Sequence, residues 1–402
     1  MSAKRLLVLT NRVPYPLNDG GNLAMSAMIK GYVKLGWEVY LLSMNTTRHY
    51  VANDVLNEIY KELYQFETVD IDNSVGPLQV ISNFFFSRQP NHADRFYQES
   101  FREKLKEVLV SFNPSVIQLE SIFLATYLRD IREVSRAFTI LRLHNIEYQI
   151  WERLAQETKN PIKKYYLSNL AGRIKHFEEE VWGKFDLLLP ITNIDAEIVA
   201  STVTSNKIHV APYGLETVVH EQGARQEKWV GYHIGAMDWQ PNVEGVNWFI
   251  DDVWPIVKQS SPEFEFHFAG RNMPQPLFDM NIDGVFCEGM VPDANDFIGD
   301  KKILIVPIHS GGGIRVKILE AMAMGKIVIS TSIGMQGIDA QHNIHFLLAD
   351  NATGFANAIS WCLNNRDKAV AIGARAKSLI SKDYMAESIM SAINKKITTQ
   401  IS

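Results

Sequence analysis

Short apolar runs recur along the whole chain, and between them lie longer stretches with helical spacing. In the first half the runs are "LLVLT", "VYLLSM", "FETVDI", "VIQLES", "FTILRLHN" and "LLLPIT"; in the second they are "VGYHIGAM", "FEFHFAG", "VFCEGMV", "ILIVPI", "IVISTS" and "HFLLAD". A strand that is apolar at nearly every position, rather than at alternate ones, is covered on both faces. A parallel sheet meets that requirement, because its crossover connections are helices and the helices form the cover. Strands and helices alternating through both halves therefore predict an α/β chain of two Rossmann-like, doubly wound domains.

The length, 402 residues, suits two domains at roughly 100–200 residues each. "LLVLTNRVPYPLNDGG" and "YHIGAMDWQPNVEG" echo one another: strand, a loop with proline and asparagine, then glycine opening a helix. The polar, aperiodic stretch from Pro212 to Lys228 marks the seam. The expected division is a first domain over 1–212 and a second over 213–383, followed by a C-terminal helix over 384–402. A net charge of −5, from 40 basic and 45 acidic residues, gives no basic footprint for nucleic acid. Cys287 and Cys362 form neither a disulfide framework nor a zinc spacing, which suits a reducing compartment. The apolar N-terminal stretch is broken at Asn11 and Arg12, and no run of about 18 apolar residues occurs. The expectation is a cytoplasmic protein; peripheral contact with the inner membrane face stays open, since that needs only a patch. In "NPIKKYYLSNLAGRIKHFEEEVWGKF", the Lys163–Lys164 pair and the Glu178–Glu180 run read as solvated faces.

The segment "HSGGGIRVKILEAMAMGK" carries the most chemistry. It follows a good strand, "ILIVPI", and its helix stops at Gly325, so the glycines fall at the carboxyl end of a parallel strand, where open α/β sheets bind ligands. Residues without side chains let backbone N–H groups approach an anion, and the helix dipole adds partial positive charge. Gly313, Lys317 and Glu320, at i, i+4 and i+7, define one stripe of the expected helix; Ile314, Ile318 and Ala321 define the apolar stripe beside it. A pyrophosphate at the helix mouth, with a ribose one turn deeper against the Glu320 carboxylate, fits this spacing. The alternative is a surface helix with a Lys317–Glu320 ion pair and a loose glycine turn.

"PIHSGGGIRVKILEAMAMGKIVISTSIGMQGI" resembles the donor-site segment of nucleotide-sugar glycosyltransferases of the two-Rossmann (GT-B) fold, in particular family 4. The similarity continues through "IGAMDWQPNVEGVNWFIDDVWPIV", "FHFAGRN", "FCEGMVPD", "LRLHNIEYQIWERL" and "TNRVPYPLNDGGNLAM", in the family's order. The resemblance implies two domains facing a central cleft, with the last helix crossing back to the first. It implies that Glu320 is the second glutamate of the E-x7-E motif and holds the donor ribose. Gly312, Gly313 and Ile314 then lie where backbone amides meet the diphosphate and the sugar, and Arg315 and Lys317 serve the diphosphate in a glycine-rich variant of the segment. His144 matches the first-domain histidine facing the donor sugar. Gly20 and Gly21 sit in the first strand-to-helix loop near diphosphate and acceptor, and Val291 falls where backbone reads the base. Two departures mark a subgroup: the first motif glutamate is Gly312 here, and "GAMDWQPNVEG" lacks the cations of many relatives, a gap that Arg315, Lys317 and Arg271 can fill.

Among other residues, Glu120 reads equally as a group near the acceptor hydroxyl and as a helix N-terminal carboxylate. Asp70 and Asp72 imitate a metal-binding D-x-D but read as turn chemistry. Trp239, Trp248 and Trp254 read as core. The expected function is transfer of a sugar from a nucleotide diphosphate sugar to a hydroxyl of a glycan or lipid-linked acceptor, in polysaccharide or glycoconjugate biosynthesis. Retention of configuration is implied, and no metal or cofactor is required. A nucleotide-sugar epimerase and a non-catalytic nucleotide-sugar scaffold are the alternatives.

Overall fold

The computed structural model describes residues 4–17, 20–47, 50–72, 95–216, 227–311 and 314–401. They divide into two compact units, one running to Pro212 and resuming at Ile389, the other spanning Tyr213–Ser388.

The first unit is built on six parallel strands: β1 (Arg5–Thr10), β2 (Glu38–Thr46), β3 (Gln65–Ile71), β4 (Val116–Leu119), β5 (Phe138–Leu143) and β6 (Leu187–Pro190). Their order across the sheet is β3-β2-β1-β4-β5-β6. Residues alternate between faces along each strand, so one aliphatic run feeds two cores. Leu7 and Leu9 of β1 join the core on one side, with Ile117 and Leu119 of β4. Leu6 and Val8 join the other, with Val116 and Ile140. The second core is closed by α1 (Gly20–Lys34), which brings Met28, Ile29 and Tyr32. After β5 come α2 (Glu147–Glu157) and α3 (Pro161–Trp182), the latter opened by Asn160, whose side chain accepts from the Lys163 N–H, and by Pro161 in the first turn.

The second unit repeats the plan with β7 (Lys228–Ile234), β8 (Phe266–Ala269), β9 (Val285–Gly289), β10 (Lys301–Val306), β11 (Ile327–Ser330) and β12 (Leu347–Leu348), all parallel. Their order is β12-β11-β10-β7-β8-β9. Helix α4 (Gln240–Trp248) follows β7, and α5 (Val316–Ala323) follows β10. The core again lies on both faces, with Ile303 and Ile305 on one side and Leu304 and Val306 on the other. Counted within each unit, both sheets read 3-2-1-4-5-6. The first and fourth strands are neighbours, and the chain leaves them in opposite directions. Each unit therefore has a crevice at the carboxyl ends of that strand pair.

The last helix, α6 (Ala386–Ile401), packs through Ile389, Met390, Ile393 and Ile397 onto the α1 face of the first sheet. Its fit is tight at Gly31, where a Cβ would come within 2.5 Å of the Met390 side chain. The Trp37 indole N–H donates to Asn394 Oδ1 over 2.9 Å and fixes its register.

The strand runs read from the sequence all form strands, but two local readings differ. The helix after β10 begins at Val316 rather than at the glycines, because Ile314 and Arg315 precede it and Arg315 is in extended conformation. Gly312 and Gly313 lie outside the described residues. The second difference is Glu178, which is buried rather than solvated: its carboxylate accepts the backbone N–H groups of Glu147, over 3.1 Å, and Tyr148, over 2.9 Å. It satisfies the open first turn of α2 from the neighbouring helix. Burial pushes its carboxyl up to about 8, against the lowering effect of those two N–H groups.

Candidate functional site

In the second unit the crevice between β7 and β10 gathers cations. Lys317, in the first turn of α5, places its ammonium 2.8 Å from Asn242 Oδ1 and 3.2 Å from His233 Nε2. The two glycines of this region make room for close approach. A Cβ at Gly235 would stand 2.7 Å from Lys317 Nζ, and one at Gly270 only 1.8 Å from the Gly235 carbonyl oxygen. Arg315 is buried with its guanidinium 5.1 Å from the Trp239 ring centre, and its Nη2 donates to the Gly311 carbonyl over 3.0 Å. Burial lowers Arg315 to about 10, so it remains a cation at neutral pH. Glu320 lies one turn along α5 from Lys317, half-buried, and no described residue hydrogen-bonds its carboxylate. Burial raises its pKa, opposed by Lys317. Helix α5 has no side-chain N-cap; in its first turn the Ile318 N–H donates to the Arg315 carbonyl over 2.8 Å.

Ile314 and Val291 lie with Trp239 and Val316 at the margin of the adjoining core, each partly buried. Arg271 follows the end of β8, and its carbonyl accepts the Met237 N–H of the loop after β7. Its guanidinium faces Asp238 at 3.7 Å, and 42% of the side chain is exposed.

In the first unit the equivalent crevice is a cavity of about 690 Å³ between the ends of β1, β4 and β5, lined among others by Arg12, Gly21, Arg95, Glu120, His144 and Glu147. Gly20, which opens α1 beside it, has open space where a Cβ would go. His144 is one-fifth exposed and its Nε2 lies 2.9 Å from Glu120 Oε2. A carboxylate accepts, so Nε2 carries the hydrogen and Nδ1, which has no partner among the described residues, is left for a ligand. Glu120 is wholly buried and also meets the Arg142 guanidinium, at 3.4 Å, and the Gln118 amide. Burial alone would raise its carboxyl, but Arg142 together with His144 and Gln118 holds it below the ordinary range. Gln118 accepts in turn from the Tyr32 hydroxyl over 2.6 Å. Glu120 thus does not cap the following helical turn, where Ser121 is the N-cap, and it contributes to the lining of the cavity. It stands behind His144. At the cavity rim, burial pushes Glu147 up to about 7, with Asn145 and Arg95 acting against it.

The sequence reading missed His233, Asn242 and Arg142. His233 and Arg142 were hidden inside strands, and their partners come from other strands or helices. The signal that could have found His233 is a histidine one residue before a strand's carboxyl end, in "YHIGAM". Asp70 accepts from the Asn45 side chain, and no group of three potential metal ligands converges among the described residues. Trp254, Trp248 and Trp239 pack in or against the second-unit cores as expected, and Trp239 also carries Arg315 over its ring.

Residues 229–365 match the family model described as glycosyl transferases group 1. A Klebsiella pneumoniae protein named as an uncharacterized 44.6 kDa protein in the cps region is 22% identical over 405 residues, covering 98% of this chain and 99% of that one. Among solved structures, Anabaena Alr3699/HepE in complex with UDP shares 13% identity over 98% of this chain and 100% of its own, with a TM-score of 0.66. The sucrose-phosphate synthase of Thermosynechococcus elongatus shares 14% over 98% and 99%, with a TM-score of 0.63. The resemblance read in the sequence stands: the chain has the GT-B fold of two Rossmann-like domains, and its residues 229–365 carry the sequence pattern of the glycosyl transferases group 1.

Proposed function

We propose that the protein transfers a sugar from a nucleotide diphosphate sugar to an acceptor hydroxyl, with retention of configuration and without a metal. The observation that carries this reading is the second-unit crevice, where a lysine, a buried arginine and an uncapped helix end converge and an unpartnered carboxylate lies one turn deeper. The reaction expels a nucleoside diphosphate, and its difficulty lies in the charge that develops on the leaving oxygen. Lys317, Arg315 and the positive end of the α5 dipole offer preorganised positive charge for that oxygen, the largest kind of catalytic contribution a rigid site makes. Glu320 is assigned to the ribose hydroxyls, with Ile314 beside the diphosphate and Val291 beside the base. These cations do the work that a divalent ion does elsewhere.

The first-unit cavity is assigned to the acceptor side, with Gly20 and Gly21 at its edge and His144 Nδ1 presented to a sugar or acceptor hydroxyl. Diphosphate oxygen is the base that takes the acceptor proton in a same-face attack. Since HepE is solved with UDP and the related protein comes from a cps region, a UDP-sugar and a polysaccharide or lipid-linked glycan acceptor are the first classes to test. No described helix is long and apolar enough to cross a membrane. Ile162 and Tyr165 are 82% and 69% exposed on α3 among Lys159, Lys163 and Lys164, a surface suited to the lipid face of such an acceptor.

The test is turnover of UDP-, GDP- and ADP-sugars with glycan and lipid-linked acceptors, in the presence of EDTA, following release of nucleoside diphosphate and the anomeric form of the product. Acceptor-dependent release indifferent to EDTA supports the reading. Conversion of the donor to an epimer without acceptor replaces it with the epimerase. Binding without release under every acceptor replaces it with the scaffold.

A further inference from the structure

His233 is wholly buried near the end of β7. Its Nδ1 lies 2.9 Å from the carbonyl oxygen of Ile305 on the neighbouring strand β10. A carbonyl only accepts, so the ring hydrogen sits on Nδ1 and Nε2 keeps a lone pair. That nitrogen meets Lys317 Nζ at 3.2 Å. The second partner of the lysine is equally fixed. Asn242 donates its Nδ2 to the Ala236 carbonyl over 2.8 Å, which turns its Oδ1 toward Nζ at 2.8 Å. An ammonium has three N–H bonds, so among the described residues one is left over.

We propose that His233 is a positioning residue of the nucleotide-sugar site: through Nε2, together with Asn242, it holds Lys317 so that the remaining N–H meets the diphosphate, and occupation of the site takes up a proton on Lys317. This rests on the donor-site reading above. The arrangement suits a group poised between amine and ammonium. Burial and the charge of Arg315 bring Lys317 down to about 7, with Glu320 opposing them. Burial, then Lys317, brings His233 down to about 3, so the ring stays a neutral acceptor. The groups facing Lys317 are His233 from β7, Asn242 from α4, Arg315 from the segment entering α5, and Glu320 from α5 itself. An arriving diphosphate favours the charged form of the lysine. The proton comes from solvent, and the amine lone pair becomes the third N–H. Because the pKa rises on binding, affinity increases as pH falls toward about 7 and levels off once the free lysine is already charged.

The experiment is calorimetric titration of the intact protein with UDP, GDP and ADP in turn at pH 8, in two buffers of different ionisation enthalpy. At that pH the nucleotide's own phosphates are ionised and do not confuse the count. The expected result is uptake of about one proton per nucleotide bound. His233→Phe, which keeps the volume and removes the acceptor, should weaken binding roughly tenfold and shift the pH profile; His233→Gln, whose carbonyl oxygen accepts, should recover part of it. Lys317→Met should abolish the uptake. Tight binding with no buffer-dependent heat overturns the proton step, and His233→Phe with the parental affinity and pH profile returns His233 to a structural role. If the parent protein binds none of the nucleotides, the donor-site reading itself fails, and the proposal with it. The buffer comparison needs no variant, so it decides the proton step even if His233→Phe does not fold.

Discussion

The two units each set a polar pair at the carboxyl edge of the same topology, with the parts exchanged. In the first, a buried carboxylate, Glu120, stands behind a partly exposed imidazole, His144. In the second, a buried imidazole, His233, stands behind a partly buried amine, Lys317. Glu120 and His144 follow the fourth and fifth strands of their sheet, whereas His233 lies in the first strand of its sheet and Lys317 on the helix after the fourth, so both pairs stand at a carboxyl edge but on different strands. The buried member decides what the outer one can offer. Glu120 takes the Nε2 hydrogen of His144 and leaves a ring nitrogen facing the cavity. His233 takes one N–H of Lys317, and Asn242 Oδ1 takes another. The difference teaches that the repeated fold does not repeat the chemistry: in one crevice a buried carboxylate holds an imidazole, and in the other a buried imidazole holds a lysine.

Removing the buried partner tests the contrast most severely. Glu120→Ala leaves Arg142 buried without its carboxylate, and the expected loss is ~3–5 kcal/mol of stability in the first unit, read by chemical denaturation. Nucleotide affinity should be unchanged, since the second-unit pair is built separately; a parallel loss of affinity would break the contrast. His144→Ala removes the outer member instead. Turnover should fall by roughly a hundredfold with little change in the melt or in nucleotide binding, and full activity would remove His144 from the site. Glu320→Ala should weaken nucleoside diphosphate binding by ~1–3 kcal/mol, and should spare binding of inorganic pyrophosphate, which has no ribose.

The smallest effect is in pH. Glu120 is held below its ordinary value in the fold, so its contribution to stability is present above the unfolded carboxylate pKa, about 4.3. That contribution is lost as pH falls through the lower folded value. Denaturation midpoints measured from pH 6 to pH 3 should fall more steeply for the parent than for Glu120→Gln. Parallel slopes would show that Glu120 is not held as an anion.

Much of the architecture was legible because burial on both faces of a parallel sheet leaves a one-dimensional mark. "LLVLT" and "ILIVPI" need no partner to be recognised as covered strands. Lys317 and Glu320 were legible because helical spacing puts them one turn apart, and the glycines announced a strand-to-helix turn. The start of α5 was misplaced by the same glycines: Ile314 and Arg315, which look helical in composition, are drawn out of the helix, with Arg315 stacked over Trp239 and bonded to Gly311. Glu178 was read as solvent-facing because its neighbours Glu179 and Glu180 are charged; the open end of a helix 30 residues earlier in the chain, which it caps, leaves no trace in the local pattern.

By itself the sequence determined the alternation of strand and helix, the doubling of the plan and the presence of cations and a carboxylate near one glycine-rich turn. All of these follow from periodicity and spacing within one segment. Tertiary structure alone decided which residue stands behind which. His233 and Lys317 are 84 positions apart, and Glu120 and His144 are 24 apart. Their pairing depends on strand order, which brings β7 beside β10 and β1 and β5 to either side of β4. Polarity and periodicity record whether a side chain is covered, but the partner that covers it is fixed only when distant strands are laid side by side.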